Sequence, residues 1–179
     1  TYQTEKLSAR DLSIYVGDPE ILFEKKLLAI RQVAMQLVSI DEAGYVLFDR
    51  HGSNIMVMED PKPVPSVRQI DPKYLYDMRS HVLSVGSFPD QHRYKEMVDS
   101  INSRRGLNLW SYTIRNLAIE LESAINNSPL SKSVSAIGSY TTSLKDPKRF
   151  PTLEDVVDRL DLILHADLGN RTVPVSTWR

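Results

Sequence analysis

The stretch GYVLFDRHGSNIMV, residues 44–57, sets Asp49, Arg50, His51, Ser53 and Asn54 between two apolar runs. Polar groups in a short connection between buried segments either satisfy a tight turn, for which Asp and Asn are favoured, or present chemistry at the end of a sheet. The runs YVLF and NIMVM predict short strands on either side of the knot, and VRQI at 67–70, after the Pro-rich EDPKPVPS, predicts a third. Asp71 follows that third strand directly.

Working outward, the segment before the knot predicts a helix. Asp18 and Pro19 read as its N-cap and first residue, and Phe23, Leu27, Ile30, Ala34 and Leu37 recur at spacings of three and four until about Ile40, where DEAG turns the chain. Ahead of it, TYQTEKLSARDLSIYV reads as a strand end passing into a short helix. From about Tyr74 onward the pattern is mainly helical: QHRYKEMVDSIN, then the long LNLWSYTIRNLAIELESAI, then TLEDVVDRLDLILHADL. Thr152 and Asp155 have capping-box spacing, Gly169 is a stop, and the Ser-rich 126–150 reads as a loop. The predicted fold class is mainly α with a small β-hairpin cluster.

Composition bounds the function. With 41% hydrophobic residues and 25% charged, the 179 residues can form a real core. Lys and Arg total 22 against 23 for Asp and Glu, so no basic excess favours nucleic acid. The absence of Cys rules out disulfides, thiolate zinc sites and cysteine nucleophiles. No transmembrane segment and no secretion signal is predicted. A cytoplasmic setting is expected, in the source cell or after delivery into a host. Thr1 in place of an initiator Met suggests a processed chain or a piece of a longer one. The P-loop, G-x-S-x-G, H-E-x-x-H and EF-hand motifs are all missing. His81, His92 and His165 form no ligand pattern for zinc.

What remains is the set Asp49, Asn54 and Asp71. An Asp that orients an attacking hydroxyl, with an Asn and a second Asp offering oxygens to Mg²⁺, is a minimum set for phosphoryl transfer from ATP. The order of parts resembles the C-terminal, large lobe of the protein-kinase-like superfamily. FDRHGSNIMV is similar to its catalytic loop, above all that of phosphatidylinositol kinases and their protein-kinase relatives. IDP at 70–72 falls where the metal-binding Asp-Phe-Gly belongs, and NLWSYTIRNLAIEL resembles the long helix of the eukaryotic protein kinases.

The resemblance implies residue roles. Asp49, His51 and Asn54 would be catalytic, Asn54 and Asp71 would hold Mg²⁺, and the backbone near Glu5, Lys6 and Leu7 would hold the adenine of ATP over Met56 and Ile70. Residues 1–17 would be a hinge-like segment and short helix, and 18–179 the lobe itself. Each residue also has a plainer reading. Asp49, Asn54 and Asp71 suit turns, His51 can brace the loop instead of approaching a phosphate, and Met56 and Ile70 can be ordinary core.

The sequence departs from the family as well. It has no Gly-rich phosphate loop, Pro72 and Lys73 replace the Phe-Gly, and Leu47 and Phe48 replace the His-Arg before the catalytic Asp. The phosphate-clamping small lobe would belong to the same protein or to a separate chain, and 1–179 alone is expected to be inactive. The implied function is transfer to a protein hydroxyl, Ser or Thr rather than lipid. The alternatives are a degenerate kinase that binds without transfer and a helical interaction module.

Overall fold

A computed structural model of the chain describes residues 9–48, 50–58, 64–70, 74–84, 106–127 and 153–168. The short helix expected near the start is α1, Leu12–Gly17, entered from strand β1, Ala9–Asp11. Asp11 caps it by accepting the Ile14 amide at 2.8 Å.

Helix α2 spans Phe23–Glu42 and begins four residues later than Pro19. The side chain of Asp18, expected as its cap, accepts the Glu20 amide two residues on and pairs with Arg10, closing a turn ahead of the helix. Leu27, Ile30, Ala34 and Leu37 are buried as their spacing predicts, and Leu28, Ala29 and Val33 widen the apolar face. That width matches what covers α2: it packs on α3, Gly106–Asn126, on α4, Leu153–Leu168, and on strands of both sheets. Arg31 grips Asp161 of α4 through Nε and Nη2. Lys26, fully buried, donates to the Asn127 carbonyl at the end of α3 at 3.0 Å. Gly44, with φ +85°, ends α2 in the left-handed region that favours glycine.

The strands correct the expected fold class. Besides β1 they are β2, Tyr45–Leu47; β3, Ile55–Met58; β4, Ser66–Gln69; β5, Leu75–Asp77; and β6, Val82–Ser84. They form two three-stranded antiparallel sheets, ordered β1-β3-β4 and β2-β5-β6, so the described residues are mixed α and β rather than a mainly α lobe of kinase type with one hairpin cluster. The two strands flanking the polar knot belong to different sheets. Tyr74 to Ser84, read as the start of a helical region, is instead a hairpin, β5–β6. Its turn is held by Asp77, whose carboxylate accepts from the Arg79 and Ser80 amides and the Ser80 hydroxyl. The predicted helix at 91–102 and the loop at 128–150 lie outside the described residues. No helix among the described residues is long and apolar enough to cross a membrane.

Candidate functional site

After the long passage from β1 to β2 through α1 and α2, the chain crosses between the sheets by two short connections whose ends are hydrogen-bonded to each other. On the first, β2 leaves through Phe48 and Arg50 into the single turn of 3-10 helix at Gly52–Asn54, and enters β3. On the second, β4 leaves through Ile70 and the chain reaches β5 from Tyr74. Two backbone hydrogen bonds lace them together. The Ile70 amide donates to the Asn54 carbonyl at 2.8 Å, and the Phe48 amide donates to the Tyr74 carbonyl at 3.2 Å. Tyr74 takes φ +59° to present that carbonyl. Bonds at 48:74 and 54:70 therefore close both ends of the paired connections.

Asp49, Asp71 and the hinge candidates Glu5, Lys6 and Leu7 lie outside the described residues. Of the others, Asn54 stands at the junction of the turn and β3; its amide donates to the His51 carbonyl at 2.9 Å. These two contacts are made by its backbone. His51 is half-buried at the mouth of the turn. Met56 is half-buried on the face of its sheet opposite Ile55 and Val57, in register with Asp11 and Arg68. Ile70 is 39% exposed and so is not core. Among the described residues no group of three His, Asp or Glu side chains could hold a metal.

Helix α3 holds the first crossing from below. Thr113, Asn116 and Glu120, spaced three and four apart, share one face. Thr113 Oγ1 donates to the Leu47 carbonyl at 3.1 Å, Asn116 Nδ2 donates to the Arg50 carbonyl at 2.8 Å, and Glu120 Oε2 accepts from Arg50 Nη2 at 2.7 Å. The backbone on both sides of position 49 is thus fixed to one helix.

Arg50 is fully buried and Glu120 is 5% exposed, so Arg50 is a structural cation and not a phosphate contact. Burial pushes the Glu120 carboxyl above the usual carboxylate range, against the opposing pull of Arg50. Gly52 completes the pocket: a Cβ there would lie 2.2 Å from Ser13 Oγ and 3.1 Å from Glu120 Oε1. Arg50, Gly52, Thr113, Asn116 and Glu120 hold the loop without forming any catalytic motif in the sequence. The available signal was the polar stripe at 113, 116 and 120 on a helix whose Leu117, Leu121 and Ala124 are buried.

No protein-family model matches the chain, and no characterised protein matches it in sequence.

Proposed function

We propose that the chain carries the hydroxyl-activating and metal-binding half of an ATP- and Mg²⁺-dependent phosphotransferase acting on a protein Ser or Thr hydroxyl. The observation that supports this reading is the lacing of the two crossings at 48:74 and 54:70. It fastens Ile70, the chain neighbour of Asp71, to Asn54, and Phe48, the chain neighbour of Asp49, to Tyr74, linking two connections whose three candidate residues span 23 positions of sequence. Asp49 orients the acceptor hydroxyl and takes its proton as the oxygen attacks the terminal phosphorus of ATP and the bond to the bridging oxygen breaks. Asn54 and Asp71 would hold Mg²⁺ through their side-chain oxygens, and the ion would offset the charge on the phosphate oxygens.

Clamping of the phosphates belongs to an element beyond this half, in the same protein or in a second chain. A cytoplasmic setting supplies ATP and Mg²⁺.

The test is ATP-dependent labelling of Ser/Thr peptides by the complete assembly. Asp49→Asn is expected to keep nucleotide binding and lose turnover by roughly 10² to 10⁴-fold. Asp71→Asn is expected to weaken Mg²⁺-ATP binding as well. Unchanged turnover in both variants overturns the reading, and binding without any transfer by the unaltered protein replaces it with that of a degenerate kinase.

A further inference from the structure

We propose that the buried Arg50–Glu120 pair is a positioning device, which fixes the path of the loop from Arg50 to Asn54 and does not add to the stability of the fold.

The pair is buried on both sides yet only partly satisfied. Arg50 Nη2 meets Glu120 Oε2 at 2.7 Å, while Arg50 Nε, Arg50 Nη1 and Glu120 Oε1 find no hydrogen-bond partner among the described residues. Removing two charges from water is costly, and a pair in this condition recovers little of that cost, so well-packed apolar side chains of similar volume would serve stability as well or better. Apolar contacts, however, are not directional. A guanidinium held by a carboxylate on a stated turn of α3, with Asn116 one turn earlier on the carbonyl of the same Arg50, sets both the rotation and the register of the loop against the helix. Gly52 and Ser13 close the same pocket, so a loop that slid or rotated would meet the first helix. Glu120 touches neither substrate nor nucleotide in this scheme and acts only through Arg50. Its role in transfer rests on the function proposed above; the fixing of the loop does not.

The deciding variant is R50M/E120L, which replaces both partners at similar volume, with E120A as the single removal. Denaturant unfolding of the 179-residue chain is expected to show E120A strongly destabilised and R50M/E120L at or above the wild-type midpoint. Amide hydrogen exchange at His51, Gly52, Ser53 and Asn54 is nevertheless expected to be about tenfold faster in R50M/E120L, with the core of α2 unchanged.

A double variant with wild-type exchange in the loop overturns the proposal, since the pair would then be core filler. A double variant as unstable as E120A, or unable to fold, overturns it as well, since the pair would then be a stabiliser. In the complete phosphotransferase the double variant is expected to lower kcat about tenfold or more, with KM for ATP nearly unchanged. If the unaltered assembly transfers nothing, the proposed function falls and the exchange data still decide the positioning role. If it transfers and the double variant matches it, the role in transfer falls alone.

Discussion

The amide of Ile70 donates to the carbonyl of Asn54 at 2.8 Å, so the end of β4 is fastened to the end of the polar turn that opens β3. The contact belongs to the backbone, while the Ile70 side chain is 39% exposed. The two can therefore be separated by substitution. Ile70→Ala keeps the donor and is expected to change stability by no more than about 0.5 kcal/mol. Ile70→Pro removes the donor and is expected to cost about 1 to 3 kcal/mol. Denaturant unfolding of both variants checks this, and equal effects would mean that the bond carries nothing.

Glu120 compensates a cation with no access to water. Glu120→Ala strands the guanidinium of Arg50 in the core and is expected to cost about 3 to 5 kcal/mol. Glu120→Gln retains an acceptor for Arg50 Nη2 and is expected to cost less. Comparing the two unfolding midpoints measures how much of the loss is hydrogen bonding and how much is charge.

Gly52 is required for space. The Cβ of Gly52→Ala would lie 2.2 Å from Ser13 Oγ and 3.0 Å from the Ser13 amide nitrogen, so the first helix or the turn must shift. The expected cost is about 1 to 3 kcal/mol. Adding Ser13→Ala removes the closer contact and leaves the backbone one, so part of the loss should return. Full additivity of the two substitutions would place the strain elsewhere.

Asp18 links stability to pH. Its carboxyl is held below the usual range, first by the Glu20 amide, which outweighs the opposing desolvation, and then by the Arg10 guanidinium. A depressed folded-state value stabilises the fold above the unfolded carboxylate range, about pH 3.9, and that contribution disappears as pH falls through the folded value. Asp18→Asn is expected to unfold earlier than wild type at pH 6, with the gap closing on acidification toward and below pH 3.9. A gap independent of pH would show that charge at Asp18 is irrelevant.

Local patterns legible in the sequence were those with a local cause. The apolar spacing of α2 and α3 and the three apolar runs that form strands around the knot all express which parts of a short segment must leave water. The β5–β6 hairpin leaves no legible pattern, because its runs are three residues each and its turn depends on one aspartate accepting from the backbone and side chain that follow. The start of α2 is displaced from Asp18 for a related reason: the aspartate is taken up by the Glu20 amide and by Arg10, eight residues away.

By itself, then, the sequence determined that five polar residues sit between apolar strands and that Asp49, Asn54 and Asp71 bear groups suited to a hydroxyl and a divalent cation. Only the tertiary structure decided that β2 and β3 enter different sheets, that Phe48 bonds to Tyr74 and Asn54 to Ile70, and that Arg50 turns inward. Those outcomes depend on pairings such as Phe48 with Tyr74 and Arg50 with Glu120, which are 26 and 70 residues apart and leave no periodic mark in the chain. A buried charge takes its meaning from the partner that compensates it, and that partner is chosen by packing.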